Sequence, residues 1–455
     1  MTDAAPRLAA LAETLLGSVL PVRVRAWDGS EAGPPGGPVL VFHHRRALRR
    51  ILWKPGELGL ARAWVAGELS VEGDLYELLD RVAGVLWERG RPAPAGPGGP
   101  GNPGSPGGSV PHPAPGGATP VGLLRDPGAR AAVRDLVALA RPLPAPAPPP
   151  EEAVRRSGTL HSRGRDKQAV SHHYDVGNAF YELVLGPSMV YSCAYWQPGG
   201  TLEEAQHAKL DLVCRKLDLG AGARLLDVGC GWGSMALHAA REYGARVTGI
   251  TLSGEQAAYA RKRVAEEGLA DRIEIRVQDY RDVKDGPYDA ISSIGMAEHV
   301  GSAGYRAYAR TLYALLRPGG RLLNHQIARR PEADESAYHV DEFIDRYVFP
   351  DGELSPLGST VGELERAGFE VRDVEALREH YALTLRAWVA RLEADWERAV
   401  RLTSPGRARV WQLYMAASAL GFERNRLGVN QVLAVRATAP GASGLPLRTR
   451  HWPAP

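Results

Sequence analysis

Residues 225–233, LLDVGCGWG, decide the fold. An apolar, strand-like run ends in Asp227. Glycines at 229, 231 and 233 then let the backbone turn and approach a ligand closely, before the helical pattern SMALHAAREYG begins. A glycine-rich loop of this kind could equally cradle a dinucleotide pyrophosphate. Here an acid precedes the first glycine, and the spacing is GxGxG rather than GxGxxG. Asp227 would repel a pyrophosphate and attract a cationic amino group, which points to the methionine end of S-adenosylmethionine.

Downstream the chain alternates strand and helix through ARVTGITLS, GEQAAYARKRVAEEG, RIEIRVQDY, YDAISSIGM, YRAYARTLYALLRPGG and RLLNHQIAR. This rhythm predicts an α/β fold, a doubly wound parallel sheet with covering helices. Helical segments follow around 342–346, 361–367, 381–401 and 407–422, and NQVLAVRA reads as a closing strand. Successive strand ends carry further cofactor candidates. Thr251 and Gln256 stand where nucleotide-binding sheets often place an acid for the ribose, and Asp279 with Tyr280 stand where an adenine edge would lie. Each taken alone could simply cap a turn.

Upstream, residues 91–120 are almost wholly Pro, Gly, Ala and Ser, and RPLPAPAPPP ends at Pro150. Such composition cannot bury enough apolar surface to offset ordering entropy. The expected organisation is a small α+β N-terminal domain (1–90), a linker or insertion with a short helix near 126–140 (91–153), a catalytic domain (154–440) and a tail (441–455). In the first, PVRVRAWDG and GPVLVFHH read as strands, and 47–52, 59–66 and 74–85 as helices or turns. His43 and His44 would sit on opposite faces of a strand and serve structure.

The chain has 455 residues, with 55 Lys and Arg against 52 Asp and Glu. A net charge of +3 offers no case for nucleic acid. The basic run RRSGTLHSRGRDK (155–167) reads either as a solvated linker or as a patch for anionic head groups. Cys193, Cys214 and Cys230 show neither CxxC spacing nor an even count, so no metal site or disulfide framework is expected and a reducing cytoplasm fits. With no apolar run of about 18 residues, a lipid-modifying enzyme would visit the inner face of the membrane peripherally.

Three segments carry more than a minimal methyltransferase core needs: HHYDVGNAFYELVLGPSMVYSCAYW (172–196), SSIGMAEHVGSAGY (292–305) and RYVFPDGEL (346–354). With LLNHQI and HYALTLRAW they resemble the cyclopropane-fatty-acyl-phospholipid synthase family, which includes the mycolic acid cyclopropane synthases. The resemblance covers roughly 155–437. ALRRILWKPGELGLARAWVAGELSVEGDL resembles the small N-terminal domain of longer bacterial members. It implies a class I S-adenosylmethionine methyltransferase domain, Rossmann-like in form.

By the same resemblance, Tyr191 and Ser192 close over the methionine end, and Gly229, Gly231 and Gly233 line the cofactor. Thr251 and Gln256 hold the ribose side, and Asp279 and Tyr280 the adenine. Cys193, Glu298, His325, Ile327 (through its backbone) and Tyr381 match the positions holding a bicarbonate ion. The expected acceptor is an unsaturated acyl chain of a phospholipid, and a homodimer is the family expectation.

The chemistry accounts for such a site. Methyl transfer to an alkene leaves a carbocation that water would capture, so the site must exclude solvent, and a bound anion can stabilise charge and take the proton. Glu298 could otherwise be a helix-start carboxylate and Cys193 core packing. His299 reads as a structural partner, and Cys214 and Cys230 as packing. Many members carry an aromatic residue where this chain has Ala297. GMAEHVG, LLNHQI and RYVFPDG resemble the actinobacterial branch whose product is a 10-methylene acid, reduced by a separate enzyme. Cyclopropane formation, a small-molecule methyltransferase and a lipid-binding module with a vestigial catalytic half are the competing readings.

Overall fold

The computed structural model describes residues 3–16, 19–54, 56–88, 134, 137–141, 144–152, 162–165, 176–335 and 338–447. The Pro/Gly-rich segment 91–120, most of the helix expected at 126–140, most of the basic run 155–167, residues 172–175 of the first family segment and the end of the tail lie outside them. The chain divides into two units, Met1–Pro149 and Pro150–Pro455.

The first unit runs α1 (Ala4–Leu16), β1 (Arg23–Arg25), β2 (Glu31–Ala32), β3 (Val39–Phe42), α2 (Arg46–Trp53), α3 (Glu57–Val65), β4 (Leu69–Glu72) and α4 (Leu75–Glu88). Its sheet has the order β2-β1-β3-β4, with β1 and β3 parallel. Val24, Val41, Leu48, Leu58 and Trp64 are buried. β3 stops at Phe42, so His43 and His44 are not strand residues and both are exposed. His43 N–H still donates to Glu68 O at 3.0 Å beside β4, and the chain then turns into α2. His43 Nε2 meets Ser70 Oγ at 2.6 Å, and His44 Nδ1 accepts the Arg46 N–H at 3.0 Å, at the first turn of that helix.

The second unit continues with α5 (Asn178–Leu185), α6 (Leu202–Leu217), β5 (Arg224–Val228), α7 (Ser234–Tyr243), β6 (Arg246–Thr251), α8 (Gly254–Glu266), β7 (Ile273–Val277), β8 (Tyr288–Ile294) and α9 (Gly301–Leu315). Then come β9 (Leu316–Arg329), β10 (Ser355–Pro356), α10 (Leu357–Arg366), β11 (Glu370–Ala376), α11 (Arg378–Ala394), α12 (Trp396–Leu402), α13 (Pro405–Glu423) and β12 (Leu427–Val435). The main sheet has the order β11-β12-β9-β8-β5-β6-β7. From β9 to β7 every neighbour pair is parallel, and β12 and β11 are added antiparallel.

Alternation along each strand sends neighbours to opposite faces. Leu225, Leu323 and Leu433 join one apolar cluster with α6, α7 and α8, while Leu226, Leu322 and Val432 join the other with α9 and α10. β11 was not legible in EVRDVEA. It is an edge strand with one buried residue, Asp373, so four charges in seven residues mask its period. The helix expected over 381–401 breaks at Asp395, which ends α11 and precedes α12. Two described residues of the basic run are paired: Arg163 with Asp282 at 2.9 Å, and Arg165 with both carboxylate oxygens of Asp351 at 2.6 and 2.7 Å.

Candidate active site

A cavity of about 180 Å³ opens at the carboxyl ends of β5, β6, β7 and β8, where doubly wound sheets bind ligands. Gly229, Gly231 and Gly233 take positive φ of 77°, 53° and 83°, so side chains there would be strained. Gly229 and Gly231 line the cavity. Gly233 does not: a Cβ there would come within 3.0 Å of Ala260 Cβ, so it seats α7 against α8.

Asp227 lines the cavity and is 2% exposed. Its Oδ1 accepts from Ser292 Oγ at 2.7 Å, and its Oδ2 has no partner among the described residues. Burial lifts its carboxyl to about 6, against the opposing pull of Ser292 and Lys209. A buried carboxylate oxygen without a donor suits an incoming ammonium.

Thr251 Oγ1 and Gln256 Oε1 are 2.9 Å apart, and Ser253 caps α8, so this wall is held rigid before any ligand arrives. Asp279 also lines the cavity, but Arg281 engages both its oxygens at 2.8 and 2.6 Å. Burial works to raise its pKa, and Arg281 prevails and holds it below the ordinary value. Tyr280 lines the cavity edge-on to Tyr308.

Tyr191 and Ser192 complete the cavity from the loop after α5. Met189, just before them, takes φ 54°, a strained conformation for a long side chain, costing roughly 1–3 kcal/mol. Its N–H donates to Gly186 O at 3.1 Å, which holds the turn. The Tyr191 ring packs on Tyr181, Trp388 and Trp411, and Trp388 in turn meets Tyr381 edge-on. These rings lead from the cavity towards the second group of candidates.

None of that second group lines the cavity. Glu298 Oε1 accepts the Ile327 N–H at 2.8 Å, so the Ile327 amide positions the carboxylate rather than standing open. Glu298 Oε2 is buried without a partner among the described residues, and burial lifts the carboxyl to about 7. His325 Nδ1 lies 3.3 Å from Gln431 Nε2, and its Nε2 is likewise unpartnered. Burial, with Lys209 and Lys216 nearby, holds its pKa well below the ordinary value, so the ring is neutral.

Cys193 Sγ lies 3.2 Å from Ala194 O and 3.5 Å from Leu377 O. Burial pushes its pKa well up, so it is a thiol and not a nucleophile. Tyr381 N–H donates to the same Leu377 carbonyl at 3.1 Å. Leu377 N–H donates to Val429 O at 2.8 Å, and Val429 pairs with Ile327 across β12 and β9. One turn thus joins Cys193 and Tyr381 to the strand carrying His325 and Ile327.

Sequence reasoning missed several residues here. Lys209 and Gln206 of α6 are buried, and Lys209 lines the cavity; two polar residues on the inward stripe of an amphipathic helix were the available signal. His299, read as structural, also lines the cavity. Away from it, His207, His238 and Glu242 bring ligand atoms within 4.8 Å of one another, with Glu242 already paired to Arg241 at 2.7 Å.

Among families, residues 161–432 match mycolic acid cyclopropane synthetase. A probable fatty acid methyltransferase of Mycobacterium tuberculosis is 43% identical over 439 residues, 94% of each chain. The cyclopropane-fatty-acyl-phospholipid synthase of Escherichia coli is 37% identical over 64% of this chain and 73% of its own. A tuberculostearic acid methyltransferase of Mycobacterium tuberculosis is 32% identical over 95% of this chain and 92% of its own. A solved mycolic acid cyclopropane synthase, complexed with SAH and CTAB, matches with TM-score 0.56 and 33% identity over 59% of this chain and 97% of its own. The glycine loop, the acid before it and the sheet order agree with these likenesses: the chain belongs to the mycolic acid cyclopropane synthetase family and is an S-adenosylmethionine-dependent fatty acid methyltransferase.

Proposed function

We propose that the acceptor is the double bond of an unsaturated acyl chain, such as oleoyl, in a phospholipid met at a membrane surface, and that the product is a 10-methylene acid. The observation that carries this reading is that Glu298 Oε2 and His325 Nε2 are both buried without a hydrogen-bond partner among the described residues. An amine or hydroxyl acceptor brings its own hydrogen bonds to a polar pocket. An alkene brings none, and needs a dry pocket with one group to receive a late proton.

When bound, S-adenosylmethionine supplies an electrophilic methyl on a positively charged sulfur. The new C–C bond uses the alkene π pair, which leaves a carbocation on the acyl chain. The faces of Tyr191, Trp388 and Tyr381 offer a water-poor surface able to stabilise that cation. A hydride shift brings the charge to the methyl-bearing carbon, and proton loss from the methyl gives the exocyclic methylene. Proton loss with ring closure would instead give a cyclopropane. A separate reductase would turn the methylene into a methyl branch.

The chemistry of these two groups suits a small oxyanion. Glu298, near neutral pH in its titration, can donate a proton, and neutral His325 can donate or accept. Bicarbonate held by Glu298, His325, Cys193 and the Tyr381 hydroxyl, with Ile327 fixing Glu298, would supply the base. The methylene outcome draws support from the near-full-length similarity to a tuberculostearic acid methyltransferase, and from the small Ala297 beside Glu298.

Lipid analysis of a heterologous host fed oleate tests the product. A methylene or methyl branch at mid-chain is expected, and a cyclopropane acid without either overturns it. Glu298→Gln and Tyr381→Phe should each cost roughly 100-fold or more in turnover while donor binding persists. Full activity in both variants refutes the anion site.

A further inference from the structure

Helix α6 buries two lysines seven residues apart, on the same face. They are treated differently. Lys216 is fully buried and donates to Glu375 Oε2 at 2.5 Å and Gln431 Oε1 at 2.8 Å, as a buried ammonium should. Lys209 is 1% exposed, yet among the described residues no hydrogen bond or ion pair holds its ammonium. Its neighbour Gln206 is spent on Ser188, Leu185 and Val190.

Lys209 lines the donor cavity together with Asp227, whose Oδ2 is the unpartnered oxygen described above. The two feel each other's charge, but no ion pair joins them. An isolated buried charge is costly, and two opposite ones held apart in one cavity are costlier than a closed pair. Such an arrangement is relieved by a ligand carrying both complementary charges at once. The free α-amino acid group, an ammonium and a carboxylate on one carbon, has that form.

We propose that Lys209 and Asp227 form a clamp for the zwitterionic amino-acid end of the methyl donor, Lys209 taking its carboxylate and Asp227 its ammonium. This rests on the reading of the cavity as the S-adenosylmethionine site, and adds a donor-binding residue outside the glycine loop. The clamp also explains why α6 matters to the site: it delivers a cation to the cavity that Asp227 lines from β5. The charge of Lys209 reaches Cys193 and His325 as well.

The test uses the full chain and three nucleosides in calorimetric binding: S-adenosylhomocysteine, its decarboxylated analogue, and 5′-methylthioadenosine, which lacks the amino-acid end. Unaltered protein should bind S-adenosylhomocysteine roughly 10- to 100-fold more tightly than the decarboxylated analogue, the range of one charge-assisted hydrogen bond. Lys209→Met should abolish that preference and leave 5′-methylthioadenosine affinity unchanged. Its thermal midpoint should not fall, because the substitution removes an unpaired buried charge. Equal weakening towards all three ligands, or an unchanged preference, overturns the clamp. Should the variant fail to fold, equal affinity of the unaltered protein for S-adenosylhomocysteine and its decarboxylated form overturns it alone. If the unaltered protein binds none of the three, the donor reading beneath the clamp fails with it.

Discussion

Replacing Glu298 with Gln should stabilise the protein while disabling it, and the gain should depend on pH. Burial lifts this carboxyl from 4.5 to about 7. A raised carboxyl pKa favours the neutral form in the fold, so its contribution to stability is full below about pH 4.5 and is lost as pH rises through about 7. Each pKa unit is worth about 1.4 kcal/mol, so charging Glu298 costs the ligand-free fold about 3 kcal/mol at pH 8 and about 1 kcal/mol at pH 5. Gln has the shape of the neutral acid at every pH, and its carbonyl can still accept the Ile327 N–H.

Thermal unfolding of both proteins, scanned at pH 5 and pH 8, reads the difference directly. At about 2 °C per kcal/mol for a unit of this size, Glu298→Gln should melt roughly 5–7 °C higher at pH 8 and roughly 2 °C higher at pH 5. Other titrations are common to both proteins and cancel. An offset of the same size at both pH values, or a variant less stable at pH 8 than at pH 5 relative to the unaltered chain, would refute the claim that an isolated buried charge is kept here for chemistry.

Donor binding should follow a bell-shaped pH profile. It weakens below about pH 6 as Asp227 gains a proton and above about pH 8 as Lys209 loses one, since burial brings the two to about 6 and about 8. The groups facing them, Cys193, Cys214 and Cys230, are thiols pushed upward by burial, and His325 stays neutral. S-adenosylhomocysteine affinity measured from pH 5 to 9 checks this, and a flat profile would count against both charges. Gly233→Ala should cost roughly 1–3 kcal/mol in denaturant unfolding, because φ is 83° and the added Cβ meets Ala260. A loss of donor affinity at unchanged stability would mean that Gly233 contacts the ligand after all.

The glycine loop and its strand were legible because their causes are local. Positive φ at Gly229 and Gly231, the apolar run before them and Asp227 at its end all lie within nine residues. The alternation of strand and helix was equally open, since the central parallel strands β5 and β8 are buried almost throughout and read as apolar runs. β11 was hidden, because an edge strand buried at one residue keeps no period to read. His43 and His44 read as strand residues because an apolar pattern does not announce where pairing stops.

The doubly wound fold and the glycine loop after β5 follow from the amino-acid sequence, since backbone freedom and periodicity are properties of short segments. Tertiary structure alone decided which of the candidate residues share a space. It spent the Ile327 amide on Glu298, turned Gly233 into a packing contact, and left Glu298 Oε2 and His325 Nε2 without partners among the described residues. It also separated Lys209 from Lys216, giving one a carboxylate across β11 and the other an open cavity. Charges acquire their energy from what is packed around them, and that packing is set by elements far apart in the chain.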